Sequence, residues 1–306
     1  MADKMDFLAI DHHSYADLRA ILDLAKAQKP LARAHKLPHT HPNRVLACVF
    51  AKPSLRTRIS FEVAMRQLGG ESLFITDKEI GMGTRESVYD VAKVMSRFAD
   101  AIMIRWFDDD EVVQLAKHAS VPVINGLTDL THPCQVMADI LTIEEHLGTI
   151  EGKNVVMVGD GNNLANSWLN AAIRFPFNFI LACPEGYTPD ESIMNKAEAA
   201  GASFMVTHDP REAVEGAHVI YGDAFYSMGQ EEEAVQRRKD FAPFQINSEL
   251  LRACDPEHIV MHCLPAHRGE EITDEVMDGK HSVVFDEAEN RLHAQRAIIA
   301  TVLKGE

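Results

Sequence analysis

Short runs of Val, Ile, Leu and Phe recur along the chain, separated by stretches in which apolar residues return every three or four positions. The runs predict strands at 44–50, 71–76, 100–105 and 121–127. A second series predicts strands at 153–160, 177–184, 202–208, 217–223, 258–265 and 282–288. Most are apolar on both faces, which suits parallel strands covered by helices on each side. Between them, Ser14 with Asp17 is a capping pair for a helix burying Leu18, Ile21, Leu22 and Ala25. In 55–68 the apolar face reads Leu55, Ile59 and Val63, and Gly69–Gly70 stops the helix. Further helical periods lie near 86–98, 110–118, 164–174 and 190–200, and "CQVMADILTIEEHLG" (134–148) reads as a connecting helix. This alternation predicts an α/β protein of doubly wound parallel sheets.

The restart of the strand series after "TIEGKN" divides the chain near residue 149. Residues 1–149 and 150–288 are the expected domains, with 289–306 a helix packing back on the first. The polar stretch 229–243 reads as a solvated helix or loop whose charges call for no functional explanation.

Length and charge narrow the picture. The 306 residues are enough for two domains, and the net charge is −16. That balance disfavours non-specific binding to nucleic acid or an anionic membrane. Cys48, Cys134, Cys183, Cys254 and Cys263 are scattered and odd in number, which fits reduced thiols in a cytoplasmic protein. The first residues show no signal-peptide pattern, and no apolar run approaches the roughly 18 residues of a membrane span.

Against this acidic background, "PSLRTR" (53–58) places two arginines where a helix begins. Helix N-termini carry unpaired N–H groups and partial positive charge, so Arg56 and Arg58, with Ser54 and Thr57, ask for an anion. The bland alternative is two surface arginines on a capped helix. His132 and Gln135 sit one turn apart at another strand-to-helix junction and can donate together to a carbonyl oxygen; a capped turn is the plain alternative. Arg105 ends a strand as a third cation. "VGDGNNLANS" (158–167) begins like a dinucleotide fingerprint, but Leu164 replaces its third glycine, leaving Asn162 and Asn163 as polar groups. Asp223 ends a strand ahead of Ser227 and Gly229, where an acid can hold a cationic group. Cys263 follows His262 at another strand end and is a reactive thiol, a polar contact or an inert half-buried cysteine; with "HTH" at 39–41 these residues lack the ligand spacing of a metal site. The first half thus supplies a cationic site and the second a site for a small zwitterion. That pairing suits a transferase.

With these residues in view, the chain resembles the aspartate/ornithine carbamoyltransferase family. "SLRTR" is similar to that family's carbamoyl-phosphate signature and "HPCQ" to its second such motif. "DAFYSMG" is similar to its ornithine loop, "HCLPAHRGEE" to the ornithine branch's motif, and "FDEAENR" supplies the C-terminal Arg291. The five occur in order across residues 5–304.

The resemblance implies a carbamoyl-phosphate domain followed by an ornithine domain, joined by two long helices. It also implies a cytoplasmic homotrimer with sites at subunit contacts, a higher assembly of trimers left open, and no metal or organic cofactor. Ser54, Leu55, Arg56, Thr57 and Arg58 would form the phosphate loop, and Arg105, His132, Gln135 and Arg291 would surround the carbamoyl group. Asn163, Asp223, Ser227 and Met228 would hold ornithine, with Cys263 and Leu264 between the two ligands. Arg105, His132 and Cys263 are the implied catalytic groups. Glu79 stands where the family reaches a neighbouring subunit's site, and a carboxylate near phosphate calls for a cation such as Lys78 or Arg85. A nicotinamide dehydrogenase using "VGDGNN", a putrescine-specific relative and a non-catalytic relative are the rival readings.

Overall fold

In the computed structural model, residues 4–226 and 231–303 are described. The chain forms two units, Met1–Leu141 with Glu289–Glu306, and Thr142–Ala288. The expected α/β class of two parallel sheets is what it adopts.

The first unit begins with α1 (Tyr15–Arg33), capped by Ser14 and Asp17 in the reciprocal arrangement their spacing predicts. There follow β1 (Val45–Phe50), α2 (Leu55–Gln67), β2 (Glu71–Thr76), the short α3 (Asp77–Ile80) and α4 (Val88–Met95). Next come β3 (Ala101–Arg105), α5 (Asp109–His118) and β4 (Val123–Leu127). The strands are parallel, in the order β2-β1-β3-β4. The chain therefore steps outward from β1 to β2, then returns to the other side of β1 for β3. The carboxyl ends of β1 and β3 flank a topological switch point, where open α/β sheets bind ligands. Val49, Ile102, Ile104, Leu115 and Val123 pack one face of this sheet.

Helix α6 (Pro133–Leu147) contains the division point. The second unit continues with β5 (Asn154–Val158), α7 (Asn163–Ala172), β6 (Asn178–Ala182), α8 (Glu191–Ala199) and β7 (Phe204–Thr207). It goes on through α9 (Pro210–Ala213), β8 (Val219–Gly222), α10 (Ala234–Asp240), β9 (Ile259–His262) and α11 (Asp274–Met277). The parallel order β7-β6-β5-β8-β9 puts a second switch point at the ends of β5 and β8. Val156, Val158, Ile220, Phe241 and Val260 form its core. No helix among the described residues is long and apolar enough to cross a membrane.

Three sequence expectations change. The run 282–288 is not a strand: Ser282 makes a single bridge to Val260, and α12 (Val284–Val302) then begins. Asp286 and Glu287 in its first turn favour a helix N-terminus, and a short apolar run cannot by itself distinguish the two states. The face of α2 carrying Leu55 and Ile59 points outward, at 70% and 50% exposure. Its buried side is Thr57, Ser60, Phe61, Ala64 and Met65, because Thr57 and Ser60 have buried polar partners there. Within 229–243, Arg237 is buried rather than solvated.

Candidate functional site

Ser54 caps α2, its hydroxyl accepting the Thr57 N–H at 3.3 Å. No acid occupies the first turn. The two arginines differ. Arg58 donates to Glu62 at 2.8 Å and lies 4.0 Å over the Phe74 ring, so an acid four residues on engages it. Arg56 is half-buried, and its guanidinium pairs with no carboxylate among the described residues. A cation left unneutralised at the positive end of a helix is an anion site in electrostatic terms.

Around the same switch point the backbone of Ala51, just after β1, donates to the Arg105 carbonyl at 2.9 Å, tying the ends of β1 and β3 together. Arg105, His132, Gln135 and Arg291 are all buried in this unit. Arg291 donates to Gln135 Oε1 at 2.6 Å and to Thr57 Oγ1 at 2.9 Å, and Gln135 Nε2 donates to Asp139 at 2.8 Å. Burial first, then the charges of Arg291, Arg105 and Arg56, holds the His132 imidazole well below its ordinary pKa. His132 is thus a neutral group with an N–H to offer. Three cations with a neutral imidazole can bind a phosphate and polarise a carbonyl oxygen together.

Leu55 caps the outside of this region with its side chain exposed. Glu79 is exposed in α3 and folds back on its own helix, accepting from Thr76 N–H at 2.7 Å and Thr76 Oγ1 at 2.8 Å. Those two bonds, the backbone one first, hold its carboxyl below the ordinary range. Arg85 donates to the Glu79 backbone carbonyl rather than to its carboxylate.

In the second unit, Asp223 follows β8 at the switch point. Its Oδ2 accepts from Asn162 Nδ2 at 2.7 Å; its Oδ1 accepts from Ala224 N–H at 2.8 Å and from the Cys263 thiol at 3.0 Å. All three donors are neutral, and no cation neutralises this carboxylate among the described residues. It can accept an ammonium. Cys263 donates a proton here, which suits an orienting contact better than a nucleophile. Burial pushes the Cys134, Cys183 and Cys254 thiols up to about 12.

Asn163, an expected ornithine contact, begins α7; its neighbour Asn162 makes the bond to Asp223 while its Oδ1 caps α7 through Leu164 N–H at 2.9 Å. Leu264 follows Cys263 with a left-handed backbone, φ 57°. Ser227 and Met228 lie outside the described residues. Arg237 was missed: it donates to Asp160 Oδ2 at 2.8 Å and to the Phe225 carbonyl at 3.1 Å, anchoring both loops of this switch point. Its partners are 77 and 12 residues away, beyond any local pattern.

"VGDGNN" has a structural use. A Cβ at Gly161 would lie 2.3 Å from the Thr188 carbonyl carbon and 2.4 Å from Pro189 N, and the Gly161 N–H already donates to Tyr187 O at 2.9 Å. The neighbouring loop occupies the approach that a pyrophosphate would need. Of possible metal ligands, His267, Glu270 and Glu271 bring ligand atoms within 4.8 Å of one another among the described residues. Glu270 is paired with Arg238 at 3.0 Å, and Glu271 accepts the His267 backbone N–H, so protein partners already use both carboxylates.

Residues 5–145 match the family model for the carbamoyl-P binding domain of aspartate/ornithine carbamoyltransferase, and residues 151–302 match the one for its Asp/Orn binding domain. An ornithine carbamoyltransferase of Brucella suis biovar 1 is 52% identical over 94% of this chain and 92% of its own. An anabolic ornithine carbamoyltransferase of Pyrococcus furiosus is 48% identical over 98% of this chain and 96% of its own. The solved ornithine carbamoyltransferase structure from Pyrococcus furiosus superposes with a TM-score of 0.95 at 48% identity, covering 99% of this chain and 98% of that one. The chain belongs to the aspartate/ornithine carbamoyltransferase family.

Proposed function

We propose that the protein transfers the carbamoyl group of carbamoyl phosphate to the δ-amine of L-ornithine, giving L-citrulline and phosphate, as an enzyme of arginine biosynthesis. The observation that carries this reading is Arg56, a cation without an acid partner among the described residues, beside an α2 amino end that has no acid in its first turn. Ser54, Arg56, Thr57 and Arg58 take the phosphate, with Arg56 and Thr57 in direct contact. Arg105 and His132 donate to the carbonyl oxygen, and Gln135 and Arg291 hold the carbamoyl end. Asp223 takes the α-ammonium of ornithine with Asn162, Asn163, Ser227 and Met228 around it. Cys263 orients the amine, and Leu264 contributes backbone contacts.

The neutral δ-amine attacks the carbonyl carbon. Negative charge builds on the carbonyl oxygen, the bond from carbon to the phosphoryl oxygen breaks, and phosphate leaves with the proton that the attacking nitrogen gives up. Donors fixed before the reaction favour both developing charges. An alkyl ammonium has a pKa of about 10.4, so the site must take the neutral amine from a mostly protonated pool. The neutral His132 fits this chemistry, since an imidazolium would add another charge against an incoming ammonium.

The protein acts in the cytoplasm as a homotrimer in this reading. Leu55 and Phe98, at 70% and 75% exposure, support an apolar contact surface on the first unit, and Glu79 is the candidate to reach a neighbour's site. Light scattering after size exclusion tests the trimer. The test of function is citrulline formation with ornithine, putrescine, aspartate and N-acetylornithine as acceptors. Turnover with ornithine far above the rest is expected; none with ornithine overturns the reading.

A further inference from the structure

Gln295 of α12 has no exposed surface and stands one turn after Arg291. Its amide lies between two groups of opposite need. Ser60, on the buried side of α2, gives its hydroxyl proton to the carbonyls of Arg56 at 2.6 Å and Thr57 at 3.1 Å. A hydroxyl has one proton, so Ser60 Oγ keeps lone pairs that call for a donor. Arg291 is the reverse, a guanidinium that can only donate. One orientation of the amide serves both. Its nitrogen donates to Ser60 Oγ, and its oxygen accepts from Arg291 Nη2 at 3.0 Å and from Arg291 Nε at 3.1 Å. The same Nη2 donates to Thr57 Oγ1.

These bonds close a ring. Thr57 and Ser60 lie on α2, Arg291 and Gln295 lie on α12, and all four are buried. The first turn of α2 is held at three points: the Thr57 hydroxyl by Arg291, and the carbonyls of Arg56 and Thr57 by Ser60, which Gln295 grips in turn. Two nitrogens of Arg291 meet one acceptor, and that fork sets the plane of the guanidinium. The acceptor is uncharged. A carboxylate in its place would also hold the arginine, but its negative charge would oppose a phosphate arriving at the α2 amino end.

We propose that Gln295 is a positioning residue for carbamoyl phosphate: from behind the site its amide sets the Arg291 guanidinium and the first turn of α2 in register, without adding a negative charge of its own. The proposal rests on the functional reading above, in which the α2 amino end takes the phosphate.

The test compares Gln295→Met, of similar length but with no amide, and Gln295→Glu, which keeps an acceptor for Arg291 and adds a charge. One readout is the rise in melting temperature caused by inorganic phosphate. The other is kcat with separate KM values for carbamoyl phosphate and ornithine. In Gln295→Met the carbamoyl phosphate KM should rise about tenfold or more with the ornithine KM unchanged, and most of the phosphate-induced rise should be lost. Gln295→Glu should lose that rise as well. A wild-type phosphate response and carbamoyl phosphate KM in Gln295→Met overturn the proposal, since methionine supplies only volume. A wild-type response in Gln295→Glu overturns it too, because an uncharged acceptor would then not be required. Equal increases in both KM values mean general damage and also overturn it. Should Gln295→Met fail to fold, Ser60→Ala carries the test by removing the group through which the amide grips α2. A raised carbamoyl phosphate KM with an unchanged ornithine KM is expected there, and wild-type kinetics overturn the proposal. The phosphate titration needs no turnover, so a wild-type protein that responds to phosphate yet makes no citrulline would refute the functional reading alone.

Discussion

Arg291 Nη2 donates to Thr57 Oγ1 at 2.9 Å across 234 residues of chain, and its Nη1 donates to Gln135 at 2.6 Å. One guanidinium from α12 therefore fixes two groups of the candidate phosphate site from behind. Arg56 has no such tether among the described residues.

That contrast separates the two arginines experimentally. Arg56→Ala removes a half-exposed side chain without a carboxylate partner among the described residues, so its melting temperature should stay close to wild type. Its kcat/KM should fall by about 10²–10³-fold, the usual effect of losing one preorganised donor to a developing charge. Phosphate or a phosphonate analogue should raise the wild-type melting temperature by mass action and order residues 53–58, and Arg56→Ala should lose most of that rise. Arg291→Ala should instead lower the melting temperature even without ligand, because buried Thr57 and Gln135 lose their donor at about 1–3 kcal/mol. Thermal scans with and without phosphate check both.

Asp223 accepts from three neutral donors and no cation among the described residues. Asp223→Asn keeps an oxygen for the Ala224 N–H and the Cys263 thiol, sets its amide nitrogen against Asn162 Nδ2 and loses the charge for an α-ammonium. The ornithine KM should rise by at least about tenfold, consistent with the 1.5–3 kcal/mol of a charge-assisted bond, with little change in the carbamoyl phosphate KM. Preference for ornithine over putrescine should shrink. An unchanged ornithine response would argue against the assignment.

What could be read from the sequence was mostly local. Ser14 with Asp17 and Ser54 are caps whose partners lie three residues away, and the β-branched runs mark the strands because buried parallel strands are apolar on both faces. The strand ends carrying Arg105 and Asp223 followed from the same pattern. What escaped it depends on distant partners. Thr57 and Ser60 face inward on α2 in place of Leu55 and Ile59, because Arg291 and the first-turn carbonyls satisfy them. Val283 and Val284 look like a strand until the acids that follow start α12. The bond from Asn162 to Asp223 joins residues 61 apart, and no local pattern carries it.

The buried histidines set a pH dependence of stability. His132 is held well below its ordinary pKa, mainly by burial. His293 is lowered to about 4, again by burial first, with Glu289 opposing and Arg296 and Lys29 adding to the shift. Both folded-state values lie below the unfolded value of about 6.5, so the folded state binds fewer protons than the unfolded one beneath that pH. Above it neither histidine contributes a slope. As pH falls from 6.5 toward 4, each should remove stability at up to about 1.4 kcal/mol per pH unit. The urea midpoint should therefore drop between pH 7 and pH 5, and His293→Leu should reduce the drop. A midpoint that is flat over that range would contradict the placement of both rings.

Arg237 and Asp160 form a buried pair in the second unit at 2.8 Å, with side-chain exposures of 8% and 9%. Burial raises the Asp160 carboxyl above its ordinary pKa despite the arginine's opposing charge. Removing the arginine alone would leave that acid uncompensated and release the Phe225 carbonyl. Arg237→Met should cost about 3–5 kcal/mol, the range for breaking a buried pair from one side. It should also raise the ornithine KM, since the Phe225 carbonyl lies two residues after Asp223. Arg237→Met with Asp160→Leu should recover much of the stability, because exchanging a buried ion pair for apolar groups is often neutral. The ornithine KM should stay high in that double variant, since the bond to Phe225 is still missing. Denaturant titration beside citrulline kinetics separates the two effects. Recovery of both together would mean that Arg237 acts through stability alone.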